Sequence, residues 1–224
     1  MRILAMNTKR ITILSGHYGS GKTNIAVNLA LDLRKQHSKV AIADIDIVNP
    51  YFRTKDSEEM LQKADIRLIC SPYANSNVDI PALPQEIYSI TDNRDVHCVL
   101  DVGGDERGAL ALGRISPKIK EENDFDMFAV LNCYRPLTRD ADSAIGILRE
   151  IEAACGLKFT ALINNSNLGR ETTAQDVLDS VPLAEQIAKQ CGLPIIMTTV
   201  EESLYDSLSG KIDNLYPLSL QKKL

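Results

Sequence analysis

Short apolar runs alternate along the chain with longer amphipathic segments. Residues 11–15, 40–44, 96–101, 127–132, 159–164 and 194–198 are each brief and apolar nearly throughout. That is the pattern of strands covered on both faces rather than strands with one wet side. Residues 66–69 form a shorter candidate strand of the same kind. Between these runs, apolar positions fall at helical spacing. One helix opens at Lys22 and carries Ile25, Leu29 and Leu33 along one face. Another covers residues 140–155, with Ile147, Leu148 and Ile151 inward and Gly156 placed to end it. A third covers residues 183–190, with Pro182 at its first turn and Gly192 beyond it.

Strands alternating with helices predict an α/β fold of three layers: a mostly parallel central sheet with helices on both faces. Ligands of such sheets bind beyond the carboxyl ends of the strands, so strand-end residues carry the chemistry. Residues 71–94 break the pattern. They hold Asn75, Asn77, Pro81, Pro84 and Asp92, and read as a long loop with a short helix near residues 85–90. An ordinary surface excursion is the simpler reading, and a substrate- or partner-binding insert the sharper one. With no internal repeat or linker to divide it, residues 1–224 read as one domain.

Composition narrows the partners. Against 25 basic residues stand 30 acidic ones, a net charge of -5, so nucleic acid is not expected. Cys70, Cys98, Cys133, Cys155 and Cys191 are scattered and never at metal-ligand spacing, which predicts neither a disulfide framework nor a zinc site. The apolar patch in residues 1–7 is too short for a secretory signal, and nothing approaches the roughly 20 apolar residues of a membrane span. The expectation is a cytoplasmic protein.

The decisive motif is Gly16-His17-Tyr18-Gly19-Ser20-Gly21-Lys22-Thr23, which follows the first strand and opens the first helix. A phosphate-binding loop requires that setting. Its glycines let backbone N–H groups curl inward around an anion at a helix amino terminus. Lys22 can reach the outer phosphates, and the Thr23 hydroxyl can ligate magnesium. The loop and the Asn24 that follows it form the candidate nucleotide site, with ATP and Mg2+ the expected ligands.

Asp44 and Asp101 each close an apolar strand, at the rim where such ligands bind. A carboxylate there can hold magnesium through water. Asp46 lies two residues past Asp44, placed to orient an attacking water. In Asp101-Val102-Gly103-Gly104, either glycine can offer an N–H to a terminal phosphate and move when it leaves, and a tight turn into the next helix is the plainer reading. Arg53 and Arg135 sit in the distinctive runs Asn49-Pro50-Tyr51-Phe52-Arg53 and Tyr134-Arg135-Pro136, suited to phosphate recognition or to a solvated surface. His97 reads as a core or edge residue. Tyr216, Leu220 and Leu224 fall at helical spacing beside Lys222 and Lys223, as a tail packed on the domain or a weak membrane-surface helix.

With the phosphate loop, Val40-Ala41-Ile42-Ala43-Asp44-Ile45-Asp46, Asp101-x-x-Gly104 and Leu162-Ile163-Asn164-Asn165-Ser166 in this order, the chain resembles the MinD/ParA-type ATPases. Their class includes nitrogenase iron protein and arsenite-pump ATPases. The resemblance spans residues 11–199. It implies that Asp46 positions the hydrolytic water, that Asp44 and Asp101 lie in the magnesium shell, and that Asn165 or Asn164 contacts adenine. A guanine-reading Asn-Lys-x-Asp is absent from Asn164-Asn165-Ser166-Asn167. The resemblance also implies a switch on a protein partner and a nucleotide-dependent homodimer. His17 departs from the family, which carries a signature lysine at that position. Slow hydrolysis, a substitute arginine (Arg53, Arg107 or Arg135) or abandonment of the dimer would follow. Three other functions stand beside the ATPase switch. One is an ATP-dependent synthetase or kinase similar to dethiobiotin synthetase, which also lacks that lysine. The others are a GTPase metallochaperone and a nucleotide-binding module without useful turnover.

Overall fold

A computed structural model describes residues 9–45, 54–70 and 85–220. Its strands are β1 (Ile11–Ser15), β2 (Val40–Ile45), β3 (Arg67–Ile69), β4 (His97–Val102), β5 (Phe125–Leu131), β6 (Ala161–Asn164), β7 (Ile195–Glu201) and β8 (Leu215–Leu218). The helices are α1 (Lys22–Arg34), α2 (Glu58–Lys63), α3 (Ser89–Asp92), α4 (Glu106–Gly113), α5 (Ser116–Glu122), α6 (Ala141–Cys155), α7 (Ala174–Cys191) and α8 (Tyr205–Leu208). The strands of the described residues form one eight-stranded sheet in the order β3-β2-β4-β1-β5-β6-β7-β8, and every neighbouring pair is parallel.

Alternation along each strand sorts the core into two layers. Ile11, Ile13, Cys98, Leu100, Met127 and Ala129 pack with α4, α5 and α6 on one face. Leu14, Ile42, Val99, Phe128 and Val130 pack with Ile25, Ala26, Leu29 and Leu33 of α1 on the other. Both faces of β1 and β2 are buried, as their continuous apolar runs require. The three-layer α/β architecture expected from the alternation is therefore the one observed.

Several elements differ from their sequence reading. The helix expected over residues 183–190 is more than twice that length, at 18 residues. It starts at Thr173, whose side chain and Asp176 satisfy each other's backbone N–H groups in a capping box, and runs through Pro182 to Gly192 at φ 68. Pro182 is exposed, so water can satisfy the carbonyl its ring leaves without an N–H partner. The tail packs on the domain as a strand, β8, rather than at the helical spacing of Tyr216 and Leu220, while residues 221–224 lie outside the described residues. Pro217 is tolerated because β8 lies at the sheet edge, and Tyr216 is buried with its hydroxyl donating to Asp32 Oδ2 at 2.6 Å. Asn28 clamps the backbone of Ser219 at both N–H and C=O, tying this edge to α1. Strand ends move by one to three residues, so Asp44 and Asp101 sit one residue inside β2 and β4. Of residues 71–94, those from 85 on form a 3-10 turn (Gln85–Tyr88) and α3, near the expected short helix, while 71–84 lie outside the described residues. No helix among the described residues is long and apolar enough to cross a membrane.

Candidate functional site

β1 lies near the middle of the sheet, between β4 and β5, and the loop from Gly16 to Gly21 leaves its carboxyl end for α1. Three glycines there take conformations that other residues resist: Gly16 at φ 138, Gly19 at φ 74 and Gly21 at φ 89. A Cβ on Gly16 would strike the carbonyl oxygen of Val130, so the loop passes directly over β5. One on Gly104 would come within 2.5 Å of the Tyr18 backbone nitrogen and 2.8 Å of Gly16 O. The turn after β4 therefore lies against the phosphate loop, backbone to backbone. Asp105 then caps α4, accepting from Gly108 N at 2.9 Å.

Lys22 is the first residue of α1 and is buried. Its ammonium folds back over the loop, donating to Gly16 O at 3.0 Å and His17 O at 3.2 Å. Two more loop carbonyls are held from neighbouring strands. Arg135, after β5, donates through Nε to Gly19 O at 3.0 Å. Asn165, after β6, donates through Nδ2 to Ser20 O at 2.5 Å and accepts from Thr199 Oγ1 at 2.5 Å. Four consecutive or near-consecutive carbonyls thus point at protein donors. The first turn of α1, with Thr23 and Asn24, contains no acidic residue that would compete for an anion. The Ser20 hydroxyl is buried with no hydrogen-bond partner among the described residues.

Asp44 and Asp101 are register partners on adjacent strands, and Asp101 is also paired with Leu14 of β1. Each follows by two residues a side chain of the α1-facing layer (Ile42 and Val99), so both carboxylates turn to the α1 side. Both are buried. Thr54 Oγ1 donates to Asp101 Oδ2 at 3.0 Å. Carboxylate and hydroxyl oxygens, as Asp44, Asp101 and Thr23 would offer, are hard donors that suit a magnesium ion better than a soft metal.

Asn164 is 1% exposed. Its amide donates to Ser180 Oγ at 3.0 Å and accepts from Ser166 Oγ at 2.7 Å. As placed, the side-chain amides of both Asn164 and Asn165 are engaged within the protein. His17 is half-buried, and Tyr18 is 51% exposed beside it. Burial, then the Lys22 and Arg135 charges, hold the His17 imidazole below its ordinary 6.5, so it is neutral at pH 7. Asp46 and Arg53 lie outside the described residues. Arg107 is exposed on α4. Thr54 and Thr199 were not singled out from the sequence: a lone threonine carries no spacing signal, and only the fold brings each to its partner.

The five cysteines are dispersed over the fold. Burial pushes the thiols of Cys133, Cys155 and Cys191 up, and that of Cys98 to about 12, so they stay protonated. No group of three or more His, Cys, Asp or Glu residues that could hold a metal ion occurs among the described residues.

Comparison with known proteins agrees with this geometry. The ParA family profile, described as NUBPL iron-transfer P-loop NTPase, matches residues 7–83, less than half of the chain. No curated protein matches. Among solved structures, FtsY from Mycoplasma mycoides superposes with a TM-score of 0.57 at 18% identity, covering 88% of this chain and 61% of that one. FtsY from Thermotoga maritima gives 0.56 at 16%, covering 86% and 62%. The signal recognition particle 54 kDa protein from Aeropyrum pernix K1, solved in complex with GDP, gives 0.53 at 15%, covering 86% and 42%. The chain therefore spans less than two thirds of the length of these structures. The fold is that of a P-loop NTPase.

Proposed function

We propose that the chain is a single-domain, magnesium-dependent ATPase of the MinD/ParA kind, working in the cytoplasm as a nucleotide-driven switch on a protein partner. The observation that carries this reading is Lys22, buried and folded onto the Gly16 and His17 carbonyls at the neck of the glycine loop. An ammonium held there is aimed at the outer phosphates of a nucleotide cradled by the loop. A magnesium ion bound by Thr23, Asp44 and Asp101 would neutralise phosphate charge. The residues of the chain do the rest. The loop amides and Lys22 bind and orient the triphosphate. Gly104, packed on Tyr18 and Gly16, senses the terminal phosphate through its backbone. Asp46 orients the attacking water.

Adenine is the favoured base. A guanine site needs a carboxylate to accept two hydrogen bonds from the base edge, and Asn164-Asn165-Ser166-Asn167 supplies none. The GDP of the archaeal relative argues the other way, at 15% identity. The scattered cysteines, which join no group of ligands able to hold a metal ion among the described residues, favour a switch over the iron transfer named in the matching family description.

Titration calorimetry with Mg-ATP and Mg-GTP tests the reading. ATP binds more tightly than GTP, and Lys22→Ala weakens ATP binding by more than roughly tenfold, the loss of a charge-assisted contact. Unchanged affinity in Lys22→Ala rejects the site. A clear preference for GTP rejects the adenine assignment and promotes a GTPase.

A further inference from the structure

We propose that Arg135 is a second phosphate-contacting cation, supplied by the loop after β5 of the same chain to the outer phosphates of the nucleotide. The proposal rests on the nucleotide reading above and adds a residue to it. It starts from the rigidity of the arginine's own segment. The Arg135 backbone N–H donates to Asn132 O, Thr138 N donates to Arg135 O, and the Thr138 hydroxyl closes the turn on Asn132 O. Asn132 Oδ1 accepts from Tyr134 N, and Cys133 N donates to Ser166 Oγ of the next loop. A side chain anchored on so constrained a turn loses little additional entropy when it points at a ligand.

From that anchor Arg135 reaches across to the phosphate loop, and the loop makes room for it. Gly19 has no side chain where a Cβ would lie 3.2 Å from Arg135 Nε and 3.4 Å from Cζ. Glycine at position 19 therefore admits the guanidinium as well as permitting the left-handed turn. Nε is used on Gly19 O. The two terminal nitrogens make no hydrogen bond among the described residues, and the side chain is exposed. They form a planar fork of the kind that takes two phosphate oxygens at once.

Arg135 and Lys22 both hold carbonyls of this one loop. Lys22 holds the carbonyl of His17, in the same stretch as Gly19. Arg135 and Lys22 also act together on the His17 imidazole, both opposing its protonation. The Lys22 and Arg135 cations around one loop repel each other until an anion of high charge enters. The site thereby favours more highly charged phosphates.

The test is the phosphate-number dependence of binding. Affinities of ATP, ADP and AMP are measured with magnesium for the wild type, Arg135→Ala and Arg135→Lys, with the corresponding guanine nucleotides in parallel. Unfolding midpoints serve as the folding control. Arg135→Ala lowers triphosphate affinity roughly 10- to 100-fold and monophosphate affinity much less. Added salt shrinks the difference, and Arg135→Lys recovers part of it. An equal loss for all three nucleotides, or no loss, overturns the proposal and leaves Arg135 as a staple for Gly19 O. A wild-type protein that binds none of these nucleotides overturns the nucleotide reading itself, and the proposal with it.

Discussion

Gly21→Ala isolates how the phosphate loop is built. Gly21 caps α1 at φ 89, ψ 21, a conformation that costs a residue with a Cβ about 1–2 kcal/mol. The added Cβ would also run into Asn165 Nδ2. Asn165 is 5% exposed and can make way only by leaving Ser20 O and Thr199 Oγ1. Stranding buried polar groups costs about 1–3 kcal/mol more. The single substitution should therefore destabilise the nucleotide-free protein by about 2–5 kcal/mol, a large share of an ordinary domain's stability. Asn165→Ala alone loses the same bonds but not the backbone strain, about 1–3 kcal/mol. The double variant has nothing left to collide with. Its cost should fall short of the sum of the two singles by about 1–3 kcal/mol. Urea denaturation of the wild type, both single variants and the double variant measures that coupling. Additive losses, or a Gly21→Ala cost below about 1 kcal/mol, would refute the contact and the holding role it assigns to Asn165.

Asp46→Asn should keep ATP affinity within a few-fold yet lose most hydrolysis, because the water-orienting role proposed for Asp46 is exerted only at the transition state. In light scattering the trapped form should dimerise with ATP and stay monomeric with ADP. A monomer in both states rejects the face-to-face dimer and favours the synthetase reading, and normal hydrolysis removes Asp46 from the reaction. At the opposite end of the sheet, His97 stacks on His37 with ring centroids 3.5 Å apart. Burial, His37 and Arg10 hold its pKa below 6.5, against the opposing pull of Asp124. The unfolded chain therefore binds the proton more readily, so stability should decline as pH falls from about 7 through 6.5. Urea midpoints for His97→Gln should lack part of that decline; an unchanged pH profile would show that His97 does not cause it.

The parts that could be read from sequence were those set by local chemistry. Continuous apolar runs located the six longer strands because a strand covered on both faces leaves little choice of polarity, and a shorter run located β3, an edge strand with Arg67 exposed. The phosphate loop was legible because glycine, lysine and threonine at that spacing have one physical use. β8 was not: four residues containing Pro217 make a strand only because β7 offers them an edge and α1 offers Asp32 and Asn28. α7 was cut short because Pro182 marks a helix start when helix-facing neighbours are unknown. The contacts of Asn165 also lay beyond sequence reasoning. The family resemblance offered Asn165 or Asn164 to the base, and says nothing of Ser20 and Thr199, which lie 145 and 34 residues from Asn165 along the chain.

These contacts also bear on where a switch of the proposed kind would move. A switch needs an element with two arrangements whose balance the nucleotide shifts, and such couplings are commonly worth about 1–3 kcal/mol. On the β5–β6 side the loop is held by Arg135 and Asn165, their segments are cross-linked by Asn132 to Asn167 and Cys133 to Ser166, and Asn164 is tied to Ser180 of α7. Rearranging that side breaks several buried bonds at about 1–3 kcal/mol each, more than one phosphate can repay. On the β2–β4 side, the Thr54 hydroxyl donates to Asp101 Oδ2, and Gly104 meets the loop through its backbone. A switch of the proposed kind therefore leaves the β5–β6 side in place.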